Sequence, residues 1–213
     1  MTENRLDRRR ARTRAALLGA ARELLVRRAP AEVSIQEITD VADVGFGSFY
    51  NHFASKQALF DQAIAELAAE HGQVLRTATE GLSDPAEVLS VAVRVTARLP
   101  VDRPTFARVI DRAGLGYLDA FSPAALGFLR QAHAVGRLCF DDVHVAWACA
   151  GGAALGVLRH NLALAGSGQF QELELSGMDQ AGTQAALGLL RMFGLAEGDA
   201  RRITGRSLPV PFG

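Results

Sequence analysis

The stretch Ser34-Ile35-Gln36-Glu37-Ile38-Thr39-Asp40-Val41-Ala42-Asp43-Val44-Gly45-Phe46-Gly47-Ser48-Phe49-Tyr50-Asn51-His52-Phe53 decides how the chain folds. It opens on a capping box: the Ser34 hydroxyl accepts from the Glu37 amide while the Glu37 carboxylate reaches back. The helix begun there is short, with Ile35, Ile38, Val41 and Ala42 facing inward. Asp43-Val44-Gly45 turns the chain into a second short helix, Phe46 to about His52. Two short helices joined by a tight turn are the pattern of a helix-turn-helix. In that unit the first helix braces and the second enters the major groove, whose base edges distinguish all four pairs.

Outward from this stretch everything reads helical, with apolar residues recurring at spacings of three and four. Before it, Arg12 to Arg28 carries a stripe of Leu17, Ala20, Ala21, Leu24 and Leu25, ended by Ala29-Pro30. After it, Ser55 caps a long helix of about Lys56–Thr79. Asp84-Pro85 is the next start signal, for a helix ending near Leu99-Pro100. A shorter helix follows Pro104, Ser122-Pro123 opens another that ends at Gly136, and Asp141-Asp142 precede one reaching Ala165. A polar loop from Gly166 to Gly177, a helix Met178–Phe193 and a short one at Glu197–Ile203 complete the pattern. The fold expected is all-α, a three-helix DNA-binding domain over residues 12–55 joined to a larger helical domain over 56–204, in which 56–79 is the connecting helix. Residues 1–11 read as a flexible Arg-rich arm and 205–213 as a flexible tail.

Composition narrows the function. The chain has 213 residues, 49% of them hydrophobic, and 23 basic against 23 acidic side chains. That is ample for a packed core. The neutral total hides an asymmetry, for residues 1–56 hold ten basic and seven acidic groups, and Met1–Arg28 nine Arg against three acids. A basic end on an acidic body suits a polyanion docked there. The longest apolar run, Val145–Leu158, is too short to span a bilayer, and no leader pattern opens the chain. The chain is therefore expected to be cytoplasmic, with no membrane partner. Cys139 and Cys149 suit a reducing compartment and read as buried structural thiols. No metal-ligand spacing, phosphate loop or nucleophile elbow is present, so neither an enzyme nor a metal or cofactor site is expected. The alternative class is a helical scaffold or membrane-surface protein using its Arg-rich end, which would bind lipid and show no sequence preference.

The residues Ala20, Ala21, Leu24, Leu25, Ser34, Ile35, Ile38, Ala42, Val44, Gly47, Phe49, Tyr50, His52, Phe53, Ser55, Lys56 and Leu59 resemble the TetR family of bacterial transcriptional regulators. The match covers residues 12–60 and is most specific from Gly47 to Leu59. The residues make physical sense without it. Gly47 lets its backbone lie close to DNA or a partner helix, and Tyr50 and His52 place donors where phosphates lie. Lys56 sits in a helix's first turn, unfavourable for a cation unless an anion is near. Phe49 and Phe53 point into a small core with Leu24, Ile38 and Leu59. The resemblance implies phosphate contacts from Ser34, Tyr50, His52 and Lys56, and base reading from Gln36, Phe46 and Ser48. Gln36 suits a bidentate contact to adenine and Phe46 a thymine methyl. Two positions depart from the family: Asp43 stands where Gly is usual, and Gly45 where Ser or Thr is usual. The Arg8–Arg14 cluster could compensate on phosphates or in the minor groove.

One helix-turn-helix reads few base pairs, so a two-fold dimer on a pseudo-palindromic operator is expected. Ala148, Gly152 and Gly156 lie four apart, and Ala181, Ala185, Leu189 and Met192 form a second ridge. The resemblance implies a four-helix dimer interface from these two helices per subunit. It also implies an effector site in the middle helices, whose candidate linings are Phe106, Tyr117, Phe121, Phe128, His133, Trp147, His160 and Asn161. Such walls favour a small apolar or aromatic effector that releases a repressor from its operator.

Overall fold

The computed structural model describes residues 5–166 and 172–208, with the side chains of 172–176 left aside. Ten α-helices follow one another among the described residues, with a 3-10 turn at Pro30–Glu32: α1 Arg5–Leu25, α2 Ile35–Val41, α3 Phe46–Phe49, α4 Lys56–Ala78, α5 Pro85–Asp102, α6 Pro104–Ala113, α7 Leu115–Ala134, α8 Val143–Gly166, α9 Glu172–Met192 and α10 Glu197–Thr204. No described helix is long and apolar enough to cross a membrane.

The chain forms two compact units. The first takes residues up to Ala68 together with Arg108–Ala120, and the second takes Ala69–Ala107 and the chain from Phe121 onward. In the sequence the division was expected at 55/56, at the start of the connecting helix.

In the first unit, Leu17, Ala21 and Leu25 of α1 meet Ile38, Phe49, Phe53, Leu59 and Phe60 in the core, all buried. Leu24 is only half-buried, and Val41, expected inward, is exposed. Every expected start signal here is made. Ser34 Oγ accepts from the Glu37 amide at 3.2 Å, and Glu37 Oε2 accepts from the Ser34 amide at 2.8 Å. Ser55 Oγ accepts from the Ala58 amide. Glu37 also takes a 2.7 Å bond from Arg28. The Ser34 amide first, and then Arg28, hold its carboxyl down at about 2.

In the second unit α5 packs against α8 and α9. Leu89, Val93, Leu129, Leu138, Leu187, Leu190, Phe193 and Ile203 build the core. Gly182 of α9 lets α5 close in, since a Cβ there would stand 2.8 Å from Ala97 Cβ. Asp84 caps α5 through the Ala86 amide, and Arg137 grips both its oxygens at 2.8 Å while also pairing with Asp199.

Several helix limits differ from the sequence reading. Helix α1 starts at Arg5, so the described part of the expected arm is helical. Pro100 and Pro123 lie inside α5 and α7 instead of bounding them. Each costs one helical hydrogen bond, and the burial of Leu99 and of Ala125, Leu126 and Leu129 on the same helices offsets it. Helix α9 starts at Glu172, within the expected loop. The rest of that loop, residues 167–171, lies outside the described residues, as do 209–213 of the expected tail. The described end of the tail is held: the Arg206 carbonyl accepts from Arg94 at 2.8 Å, and Leu208 packs beside Ala78, Val91 and Val95.

Candidate nucleic-acid interface and effector cavity

Helix α3 is one turn long and ends at Phe49, not His52, with Tyr50 as its C-cap. Its buried side is Phe49. Phe46 and Tyr50 are 47% and 56% exposed, their rings edge to face at 6.0 Å. Together the two exposed rings form a small apolar patch on the solvent side of α3. Gly47 is exposed, and a Cβ there would meet nothing within 4 Å, so nothing inside the unit requires glycine. Ser48 is half-buried beside it. Ser34 is exposed at the start of α2. Gln36 is also exposed, its amide donating to Asp40 Oδ1 at 2.7 Å.

Lys56 is placed differently from expectation. Its ammonium donates to the Val33 carbonyl at 2.6 Å and the Ala31 carbonyl at 3.3 Å, which compensates its position in the first turn of α4. Arg14, expected in a DNA-facing cluster, turns inward. It donates to the His52 carbonyl at 2.8 Å and to Gln62, and its guanidinium lies 4.4 Å over the Phe53 ring. It thereby satisfies a carbonyl just past α3 that α3 itself leaves open.

Between α1 and the end of α3 runs a groove of about 520 Å³ lined by Leu6, Arg9, Arg10, Thr13, Ser48, Asn51 and His52. Partial burial and then the charges of Arg10 and Arg14 lower the His52 pKa, favouring the neutral ring. Arg9 and Arg10 belong to the Arg8–Arg14 cluster expected near DNA, whereas Thr13 and Asn51 were not singled out, because the helical phase that brings them to this groove depends on α1 starting at Arg5.

The turn between α2 and α3 explains one departure from the family pattern. Asp43 has φ +52°, the left-handed region that glycine enters without cost and Asp tolerates better than most residues. The other departure, Gly45, caps α3 with no side-chain hydrogen bond.

The second unit holds a cavity of about 220 Å³. Helix α4 contributes Gly72, Leu75 and Arg76, the turn after it Thr79, and α5 contributes Val88, Leu89 and Ala92. Phe121, Ala124, Ala125, Phe128 and Leu129 come from α7, and Trp147 and Ala150 from α8. Of the eight residues expected to line a pocket, Phe121, Phe128 and Trp147 meet here, with the Phe121 and Trp147 rings stacked at 6.0 Å. The other five lie elsewhere. Phe106 is buried beside His71, under the Arg103 guanidinium. Tyr117 is buried in the first unit, and burial raises its pKa. His133 is exposed, its ring by Phe140 and the Leu138 carbonyl, and His160 is exposed on α8. Asn161 is buried and spends its amide donors on the Ala97 and Met178 carbonyls, tying α8 to α5 and α9. Gly72, Arg76, Thr79 and the aliphatic lining went unnoticed, since no local pattern distinguishes them from core.

On α8, Ala148, Gly152 and Gly156 are exposed, and Cβ atoms at the two glycines would meet nothing. On α9, Met192 is exposed and Ala181 and Ala185 are half-buried. Leu189, expected on the interface ridge, is buried in its own unit's core. Both cysteines are exposed, not buried as expected. Among the described residues no group of three His, Cys, Asp or Glu could hold a metal ion.

Comparison with known proteins places these features. A family model described as bacterial regulatory proteins, tetR family, matches residues 17–63, and one described as a Tetracyclin repressor-like C-terminal domain matches residues 84–206. Two uncharacterized HTH-type transcriptional regulators of Mycobacterium tuberculosis are 29% identical over 91 residues, 43% of this chain. The chain spans only 45% of the length of those curated relatives. The crystal structure of RolR in complex with resorcinol is 26% identical, covers 95% of this chain and 97% of that one, and has a TM-score of 0.64; the ligand-free form gives 0.67. The fatty acid degradation regulator FadR from Bacillus halodurans shares the fold at 14% identity, with a TM-score of 0.61 over 89% of this chain and 97% of its own.

Proposed function

Because this chain belongs to the TetR family of bacterial regulatory proteins, we propose that it binds a pseudo-palindromic operator as a homodimer and represses transcription until a small apolar or aromatic effector fills its cavity. The observation that carries the reading is the α3 surface: Phe46 and Tyr50 hold their rings in water around Gly47, where no internal neighbour needs the missing side chain. Phe46, Ser48 and, from α2, Gln36 are the base-reading residues in this proposal. Gln36 must exchange Asp40 for an adenine edge. Ser34, Tyr50 and His52 serve phosphates, and Lys56 does so with the donor its two carbonyl bonds leave over.

Dimerisation is proposed through α8 and α9, where Ala148, Gly152 and Gly156 leave room for a second helix that nothing within the subunit occupies. The cavity, apolar on most sides and walled by Phe121, Phe128 and Trp147, is the proposed effector site. The resorcinol complex of RolR supports an aromatic occupant. Selecting duplexes from a random pool with the full chain tests the reading. Enriched inverted repeats with half-sites about one helical turn apart are expected; retention of all sequences alike, or capture by anionic vesicles only, would reject it.

A further inference from the structure

The proposed effector cavity has one cation at its wall and no Asp or Glu, and that asymmetry bears on what enters it. We propose that its occupant is a monocyclic arene carboxylate, with the ring against Phe121 and Trp147 and the carboxylate received by Arg76; this rests on the cavity being the effector site. Size sets the ring count. An apolar cavity of about 150 Å³ takes up benzene, so 220 Å³ suits one ring with a substituent. Burying a carboxylate unpaired is prohibitive. The exposed Arg76 therefore places the anion at the mouth and the ring inside.

The guanidinium is built for such a partner. Its Nε and Nη2 donate to Gln73 Oε1 at 3.2 and 2.7 Å, which orients the group without neutralising it, since the amide is uncharged. Its Nη1 stands 3.4 Å from the point where a Gly72 Cβ would lie, and Phe121 Cε2 stands 3.7 Å from the same point. Cation and aromatic edge thus converge over a glycine, both within contact distance of where its side chain would begin. Thr79, the other polar wall residue, commits its hydroxyl proton to the Leu75 carbonyl at 2.8 Å, which leaves the guanidinium as the donor.

Trp147 is the chain's only tryptophan and lies in the cavity wall, so its emission reports occupancy. The intact protein is titrated with benzoate and with benzamide, its neutral counterpart, and again as Arg76→Gln. Benzoate should bind about tenfold or more tighter than benzamide, the scale of a charge-assisted hydrogen bond. Arg76→Gln should remove that preference, with benzoate losing about tenfold or more affinity relative to benzamide. If benzamide binds as well as benzoate, or Arg76→Gln leaves benzoate unaffected, the carboxylate assignment falls and the cavity reading stands. If neither ring perturbs Trp147, both fall.

Discussion

The two units solve recognition differently. In the first, the side chains proposed to read or grip DNA lie between Ser34 and Lys56, on two short helices and the start of α4, with Arg9 and Arg10 of α1 in the groove beside them. In the second, the cavity draws on α4, α5, α7 and α8, from Gly72 to Ala150. A site made by one local motif is exposed whatever else the chain does. One enclosed by four helices exists only when long-range packing is complete, so it responds to anything that disturbs that packing.

The largest expected difference is in acid. His71 of the second unit is buried beside Thr96, Phe106 and Phe121, with Arg103 and Glu70 the nearby charges. Burial, and then Arg103, push its pKa from 6.5 down to about 4. The unfolded chain takes up the proton first, so stability is intact above pH 6.5 and lost as pH falls toward 4. By pH 5 the loss is about 2 kcal/mol. Urea unfolding at pH 7 and pH 5 should show it, and His71→Gln should remove that increment; an unchanged difference would mean the imidazole stays uncharged in both states.

Next come the glycines. Gly182→Ala drives a Cβ into Ala97 and should cost about 1–3 kcal/mol. Gly152→Leu enters open space and should keep the fold while yielding monomers by light scattering. A dimeric Gly152→Leu would move the interface elsewhere.

Arg14→Ala should cost the first unit about 1–2 kcal/mol through the lost His52 carbonyl bond and Phe53 contact. Arg9→Ala and Arg10→Ala in the neighbouring groove should leave thermal stability alone and weaken binding to every duplex. Equal stability losses from all three would erase that distinction. Smallest is Gly45→Ser, which supplies the missing cap of α3 and should add a few tenths of a kcal/mol.

The sequence disclosed most where the chemistry is local. The Ser34–Glu37 box, the Asp84-Pro85 start and the Ser55 cap were all legible because donor and acceptor lie within three residues. Pro123 misled because the same signal opens a helix or is tolerated inside one, and burial elsewhere decides. The carbonyl partners of Lys56 were not legible, since they lie more than twenty residues upstream. Arg76 was invisible, as Gly72, Gln73 and Phe121 together give it meaning. Aromatic residues at helical spacing pointed to the middle of the chain but could not separate Phe121 and Trp147 of the cavity wall from the buried Phe106.

The central claim is that α3 and the caps around it lie on duplex DNA, and salt dependence tests it most directly. Affinity for a selected inverted repeat is measured against salt for the native chain, Tyr50→Ala and Gln36→Ala. Each phosphate contact contributes about 0.9 to the logarithmic slope. Tyr50→Ala should weaken binding to all duplexes by losing its hydrogen bond to phosphate, with the slope little changed since the phenol is neutral. Gln36→Ala should keep the slope and alter which sequence is preferred. A native slope near zero, or Gln36→Ala retaining the same sequence preference, would contradict the account.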